Sequence, residues 1–240
     1  MSTLVENVAK VTAAHAALKE AIAAKGVTVP EGTKLSEMPV LIKKIWAGGS
    51  PAPTSFRAVF ADDVAESIVV PEVMVVNTTE MTNLAQCFYG CAALTSLTLP
   101  EGFGSNVTNL YNCFRDCTSL TYLTLPDGFG QNATRLDQCF GDCRSLTSIV
   151  LPDGFGKSAT TLSCCFAGCS ALTTITGNPN FKVSLDLASC TNLTHDSLMV
   201  VINGLQTVTT TQTLILGSTN LAKLTDDEKK VATDKGWTLA

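Results

Sequence analysis

Apolar residues recur along most of this chain at a fixed spacing. LTSLTLPEGFGSNVTNLYNCFRDC from Leu94, LTYLTLPDGFGQNATRLDQCFGDC from Leu120 and LTSIVLPDGFGKSATTLSCCFAGC from Leu146 are copies of one unit with a 26-residue period. A further copy opens as LTTITGNPNF at Leu172 and then diverges. A period in this range marks a chain built from stacked repeats. Within the unit Leu94, Leu97 and Leu99 alternate as a short strand does, as do Leu120/Leu123/Leu125 and Leu146/Ile149/Leu151. Pro100, Pro126 and Pro152 end those strands, because proline cannot donate to a ladder. Gly102 and Gly104, with their copies, supply the turn that follows.

The second half of the unit has a different spacing. Leu110, Cys113, Phe114 and Cys117 fall at i, i+3, i+4 and i+7, one face of a helix, with Thr108, Thr134 and Thr160 placed as N-caps. One strand and one short helical segment per unit predict an α/β solenoid of the leucine-rich-repeat type. Its strands would form a parallel sheet at roughly 4.8 Å spacing.

Both flanks read as caps. Ser67–Pro71 imitates the strand-plus-proline piece, and Phe56–Ala61 reads as a preceding strand. Downstream, Val183–Leu187 reads as a strand and Thr194 caps a helix carrying Leu198, Val201, Ile202 and Leu205. Thr213–Leu216 is another strand, and Thr225–Glu228 has the capping-box pattern of a polar helix closed by Gly236.

Residues 1–48 follow a heptad instead. Leu4, Val8, Val11, His15, Leu18 and Ile22 form an a/d seam in an alanine-rich, helix-favouring background, and Gly26 ends it. Ser36–Trp46 predicts a second short helix, and residues 49–55 form a Gly/Pro linker. The expected organisation is therefore an N-terminal helical oligomerisation or attachment module over 1–48, a linker over 49–55, and the repeat stack with its caps over 56–240. Two arrangements satisfy the seam: a helical hairpin folded onto the first repeat, or a self-associating stalk, with a trimer favoured.

Composition narrows the function. Charged residues make up 15% of the chain, and 45% is hydrophobic, which excludes disorder. Residues 1–55 hold six Lys/Arg against four Asp/Glu, and the remainder holds ten against seventeen. That acidic balance lacks the footprint of a nucleic-acid binder. No run of about 18 apolar residues predicts a membrane span, and the N-terminus lacks the pattern of a signal peptide.

The cysteines invite metal or disulfide chemistry. Cys87/Cys91, Cys113/Cys117, Cys139/Cys143 and Cys165/Cys169 are Cys-x-x-x-Cys pairs in phase with the leucines. Zinc permits that spacing. Stacking, however, predicts two interior columns of thiols acting as small hydrophobes. Cys164 and Cys190 break the pattern and are expected to be more exposed, with Cys164 the reactive candidate. No P-loop, HExxH, GxSxG or dinucleotide fingerprint occurs. His15 lies on the heptad seam, and His195 beside Asp196 is not expected to face it. No enzymatic activity and no cofactor are expected. Glu101, Asp127 and Asp153 stack at one turn position, where they are either solvated or share a cation. The outward sheet positions form the candidate ligand face: Ser96 and Thr98, Tyr122 and Thr124, Ser148 and Val150, Thr174 and Thr176.

The pattern Phe114/Cys117/Leu120/Leu123/Leu125/Pro126, repeated as Phe140/Cys143/Leu146/Ile149/Leu151/Pro152, resembles the bacterial BspA-like leucine-rich repeats over about residues 66–190. ALKEAIAAKGVTVPEGTKLSEMPVLIKKI resembles helix–turn–helix modules near the ends of phage and prophage tail proteins. The ending LTDDEKKVATDKGWTLA is similar to the C-terminal cap of bacterial and phage members of the repeat group. These resemblances imply a recognition protein, foremost a tail-associated or receptor-binding virion protein that touches a bacterial surface. The alternatives are a BspA-like cell-surface adhesin and an intracellular protein-binding scaffold. The implied partners are a cell-surface glycan or protein, other virion proteins and further copies of the chain.

Overall fold

A computed structural model describes residues 81–240 of the protein, together with the backbone of a strand at 67–69. The seam and linker of residues 1–55, and the strand expected at 56–61, lie outside the described residues. The described residues form eight strands in chain order: β1 (Ser67–Val69), β2 (Ser96–Thr98), β3 (Tyr122–Thr124), β4 (Ser148–Leu151), β5 (Thr174–Gly177), β6 (Leu185–Asp186), β7 (Gln212–Ile215) and β8 (Trp237–Leu239). Every pairing is parallel, in sheets of order β1-β2, β3-β4-β5 and β6-β7-β8. The repeat period sets the register: Leu123 lies beside Ile149, and Ile149 beside Ile175. β1 pairs with β2 through Ile68 and Leu97, as the proline-ended Ser67–Pro71 piece predicted.

The expected helices of the repeats do not form. In their place each coil runs through consecutive tight turns that bond to the next coil. Leu110 N–H donates to the Arg135 carbonyl at 2.8 Å, Asn112 to Asp137 at 3.0 Å, Phe114 to Cys139 at 2.8 Å and Asp116 to Gly141 at 2.9 Å. The same row recurs one coil later, from Leu136 to Thr161, Gln138 to Ser163 and Phe140 to Cys165. Residues four apart in these turns adopt left-handed backbone, with φ of 54° at Asn112, 63° at Asp116, 53° at Gln138 and 58° at Asp142. Short amide and carboxylate side chains tolerate that region best, and it aims successive N–H groups along the stack. Turn bonds such as Cys113 N–H to Leu110 C=O and Cys117 N–H to Phe114 C=O have a three-residue step. That step reproduces the spacing read as helical, so Leu110, Cys113, Phe114 and Cys117 all point inward and are fully buried.

Thr108, Thr134 and Thr160 accordingly cap nothing. The Thr108 hydroxyl donates to the Thr82 carbonyl, Thr134 to Thr108 and Thr160 to Thr134, a rail of hydroxyls along one edge. Thr147 and Thr173 form a second rail, each donating to the threonine carbonyl one coil earlier.

Two columns of phenylalanine fill the core. Phe88, Phe114, Phe140 and Phe166 stack with ring centroids 5.2, 5.5 and 5.1 Å apart. Phe103, Phe129, Phe155 and Phe181, from the GFG turns and their copy, form a second buried column. The columns touch through Phe114–Phe129 and Phe140–Phe155, both at 6.1 Å. Gly130 lies in this crowd with φ +70°, and a Cβ there would stand 2.8 Å from the Phe155 ring.

Among the described residues true helices appear only towards the C-terminus: α1 (His195–Asn203), α2 (Gly217–Leu221) and α3 (Asp226–Asp234). Thr194 caps α1, and Thr225 and Glu228 form the expected capping box on α3. Gly236 follows with φ +88°. The strand expected at Val183–Leu187 is shorter, and the one at Thr213–Leu216 begins a residue earlier. The sequence reading missed α2 and β8. Trp237 of β8 is buried, with its indole N–H donating to the Gln206 carbonyl at 2.8 Å.

Candidate functional site

The strands turn the eight side chains of the candidate ligand face away from the core. Leu123, Ile149 and Ile175 point into the core, so their neighbours turn outward. Ser96, Thr98, Tyr122, Thr124 and Thr176 are exposed, and Ser148, Val150 and Thr174 are half-buried. None of the eight carries a charge. Tyr122, 54% exposed, is the one exposed large hydrophobic side chain among the described residues. Thr124 donates to its hydroxyl at 2.8 Å, which lays the ring along β3. The face is thus a ladder of small hydroxyls with a single aromatic anchor, suited to flat contacts and hydrogen bonding.

The ion pairs of the repeats lie in the turn segments between the strands. Arg115 lies 3.4 Å from Asp116 and 3.8 Å from Asp142, and Arg144 lies 3.2 Å from Asp142. Arg135 pairs with Asp137 at 3.1 Å, and its guanidinium sits 4.4 Å over the Tyr111 ring. Exposed pairs of this kind contribute about 0–1 kcal/mol each.

The cysteine columns are interior. Cys87, Cys91, Cys113, Cys117, Cys139, Cys143, Cys165 and Cys169 are all buried. Cys117, Cys143 and Cys169 donate from sulfur to the carbonyls of Phe88, Phe114 and Phe140 at 3.0–3.1 Å. Burial raises the Cys113 and Cys139 thiols well above the ordinary thiol range and pushes Cys143 up to about 12. Such groups stay protonated and unreactive at neutral pH.

Cys164 is exposed, as expected, but Cys190 is not. Its thiol reaches the Phe166 carbonyl at 3.5 Å and burial pushes it up to about 12, so it fills the place that Cys117, Cys143 and Cys169 fill in their coils. The carbonyl lies 24 residues back rather than 29, so this coil is five residues shorter.

Glu101, Asp127 and Asp153 are exposed. Among the described residues no group of three or more His, Cys, Asp or Glu is arranged to hold a metal ion. His195 does approach Asp196, at 3.4 Å, contrary to expectation, but its closer partner is Glu228 on α3 at 2.8 Å. That hydrogen bond raises the His195 pKa, while the bond from the Thr225 backbone is the main cause of the lowered Glu228 value. The partnership joins residues 33 apart and left no mark in the local sequence.

The 26-residue coils, with their leucine-lined strands in parallel, define a leucine-rich-repeat fold. Residues 81–199 match the family described as BspA type Leucine rich repeat region, in six copies. A crystal structure of a T. pallidum Leucine Rich Repeat protein is similar at 19% identity, over 62% of this chain and 75% of that one, with a TM-score of 0.38. No curated protein matches the chain. The comparisons lend no support to the tail-protein resemblance of the N-terminal module.

Proposed function

We propose that the protein is a non-enzymatic recognition protein of the bacterial cell-surface adhesin kind, binding a glycan or protein through the outward face of β2–β5. The observation that carries this reading is Tyr122: a half-exposed aromatic on an uncharged hydroxyl ladder, within a stretch that matches the BspA-type repeats. A tyrosine presents a large contact area with few torsions to freeze, and it is a common anchor of binding surfaces. In the same reading the heptad seam of Leu4, Val8, Val11, His15, Leu18 and Ile22 gathers several copies, so that weak single contacts multiply.

The test uses a printed glycan array and a panel of immobilised extracellular-matrix proteins, probed with the full chain and with Tyr122→Ala. A ligand retained by the wild type should lose roughly 2 kcal/mol of affinity, more than tenfold, on removal of the ring. Unfolding in urea should be almost unchanged, because Tyr122 is more than half exposed on the outer face of the sheet. Binding that ignores Tyr122→Ala and also survives Thr124→Lys would overturn this assignment of the face.

A further inference from the structure

The row of N–H groups that joins one coil to the next stops at the fourth coil. In the third coil Leu136, Gln138 and Phe140 donate to the carbonyls of Thr161, Ser163 and Cys165. The corresponding donors one coil on are Leu162, Cys164 and Phe166. Among the described residues none of these three N–H groups meets an acceptor. Only the last member of the row is served, Gly168 N–H donating to the Ser189 hydroxyl at 3.1 Å.

The cause is the missing five residues. Phe181 keeps the register of its column, and Cys190 restores the thiol contact. The chain between them takes a short cut and gives its hydrogen bonds to β7 instead. Leu185 pairs with Leu214, and Ser184 N–H donates to the Gln212 side chain at 2.8 Å. A groove of about 520 Å³ remains between the fourth coil and β6–β7. Thr161, Leu162 and Cys164 line one side of it, and Ser184, Leu185 and Gln212 the other. β6 is itself the edge of its sheet, so the groove runs between two backbone edges.

Leu162 and Phe166 are buried, at 2% and 1% exposure. An unpaired N–H in such surroundings carries an uncompensated desolvation cost. The molecule itself shows what satisfies such a row: in each earlier coil it meets carbonyls of alternate residues on a parallel backbone segment. We propose that this groove docks an extended peptide segment of a partner protein, which lies parallel to the fourth coil and offers carbonyls to Leu162, Cys164 and Phe166. The binding is backbone-led, as in strand addition to a sheet edge. Hydroxyl and amide walls with Leu162, Leu185 and the carboxylate of Asp186 favour small, uncharged or basic side chains and disfavour acidic ones on the incoming segment. The site is separate from Tyr122 and does not depend on the strand face.

Hydrogen exchange on the full chain, labelled with ¹⁵N, tests the open row first. The amides of Leu162, Cys164 and Phe166 should exchange on the order of 100-fold faster than those of Leu136, Gln138 and Phe140. A synthetic peptide with the sequence of residues 108–114, carrying Cys113→Ala, then serves as the probe, since the carbonyls of Asn109, Tyr111 and Cys113 accept the same row from Leu84, Gln86 and Phe88 within the stack. It should shift the three amide resonances, slow their exchange and slow alkylation of Cys164 by N-ethylmaleimide. Ser163→Trp, which fills the groove from an exposed position, should abolish all three effects without moving the urea midpoint. Tyr122→Ala should leave them intact, which separates this site from the strand face. Amides as protected as their third-coil counterparts, or a millimolar peptide that changes neither the amides nor the alkylation, would overturn the proposal.

Discussion

The regular coils and the C-terminal end of the same molecule solve the backbone hydrogen-bond problem in opposite ways. From residue 84 to 142 the turns send their N–H groups outward to the next coil, so no coil is complete without its neighbour. From residue 195 onward α1 and α3 satisfy their own backbone, and side chains finish their first turns: Thr194 on α1, Thr225 and Glu228 on α3. A turn ladder propagates, whereas a helix terminates. An end that must face water therefore needs the second device, which is the physical content of capping in repeat proteins. The junction between the two is where the row at Leu162, Cys164 and Phe166 is left over.

The largest effect that would test this contrast is a cavity in the phenylalanine column. Phe140 lies between Phe114 and Phe166, so Phe140→Ala should cost about 3–5 kcal/mol in urea unfolding. It should lower the transition of the regular coils, read by hydrogen exchange at Leu110 and Leu136. Trp237→Ala should lose a comparable amount but act first on the amides of α3 and β8. If both variants open every amide together, the two regions are one cooperative unit and the contrast is geometric only.

A smaller effect separates the thiols. Cys139→Ser places a hydroxyl in a fully buried apolar site and should destabilise by about 1–3 kcal/mol. Cys164→Ser should stay within about 0.5 kcal/mol. In native buffer a thiol reagent should react quickly with Cys164 alone of the ten cysteines, and with all ten in denaturant. Fast native reaction at Cys190 would contradict its placement in the core.

The smallest effect is in the clamp between α1 and α3. His195 has a raised pKa, so its contribution is fully present below the ordinary histidine value of 6.5 and lost as pH rises through the raised value. Glu228 has a lowered pKa, so its share is present above 4.5 and lost as pH falls through the lowered value. Protection of the α3 amides should therefore be greatest between those two pH values and decline in alkaline buffer. The decline should be absent in His195→Gln. Both groups are solvent-exposed, so the change should be modest and weakened by salt.

Much of this architecture was legible in the residues. The 26-residue period, the strand positions, the inward cysteines and the exposed hydroxyl ladder all follow from which side chains repeat and which alternate. The turn ladder was not, because a three-residue turn step and a 3.6-residue helix place Leu110, Cys113, Phe114 and Cys117 on the same side. What decides between them is the left-handed backbone at Asn112 and Asp116, whose short side chains were the available clue. The place of Cys190 was hidden by a five-residue change of phase. The partnership of His195 with Glu228 depends on how α1 and α3 meet, which no local pattern encodes.

The identical wiring of successive coils also bears on how such a molecule changes over generations. Leu110 hands its bond to Arg135 just as Leu136 hands its own to Thr161, so an in-frame duplication of one unit inserts a coil that fits both its new neighbours. Such an insertion would widen the hydroxyl face by one whole coil while leaving the C-terminal helices and their contacts as they are.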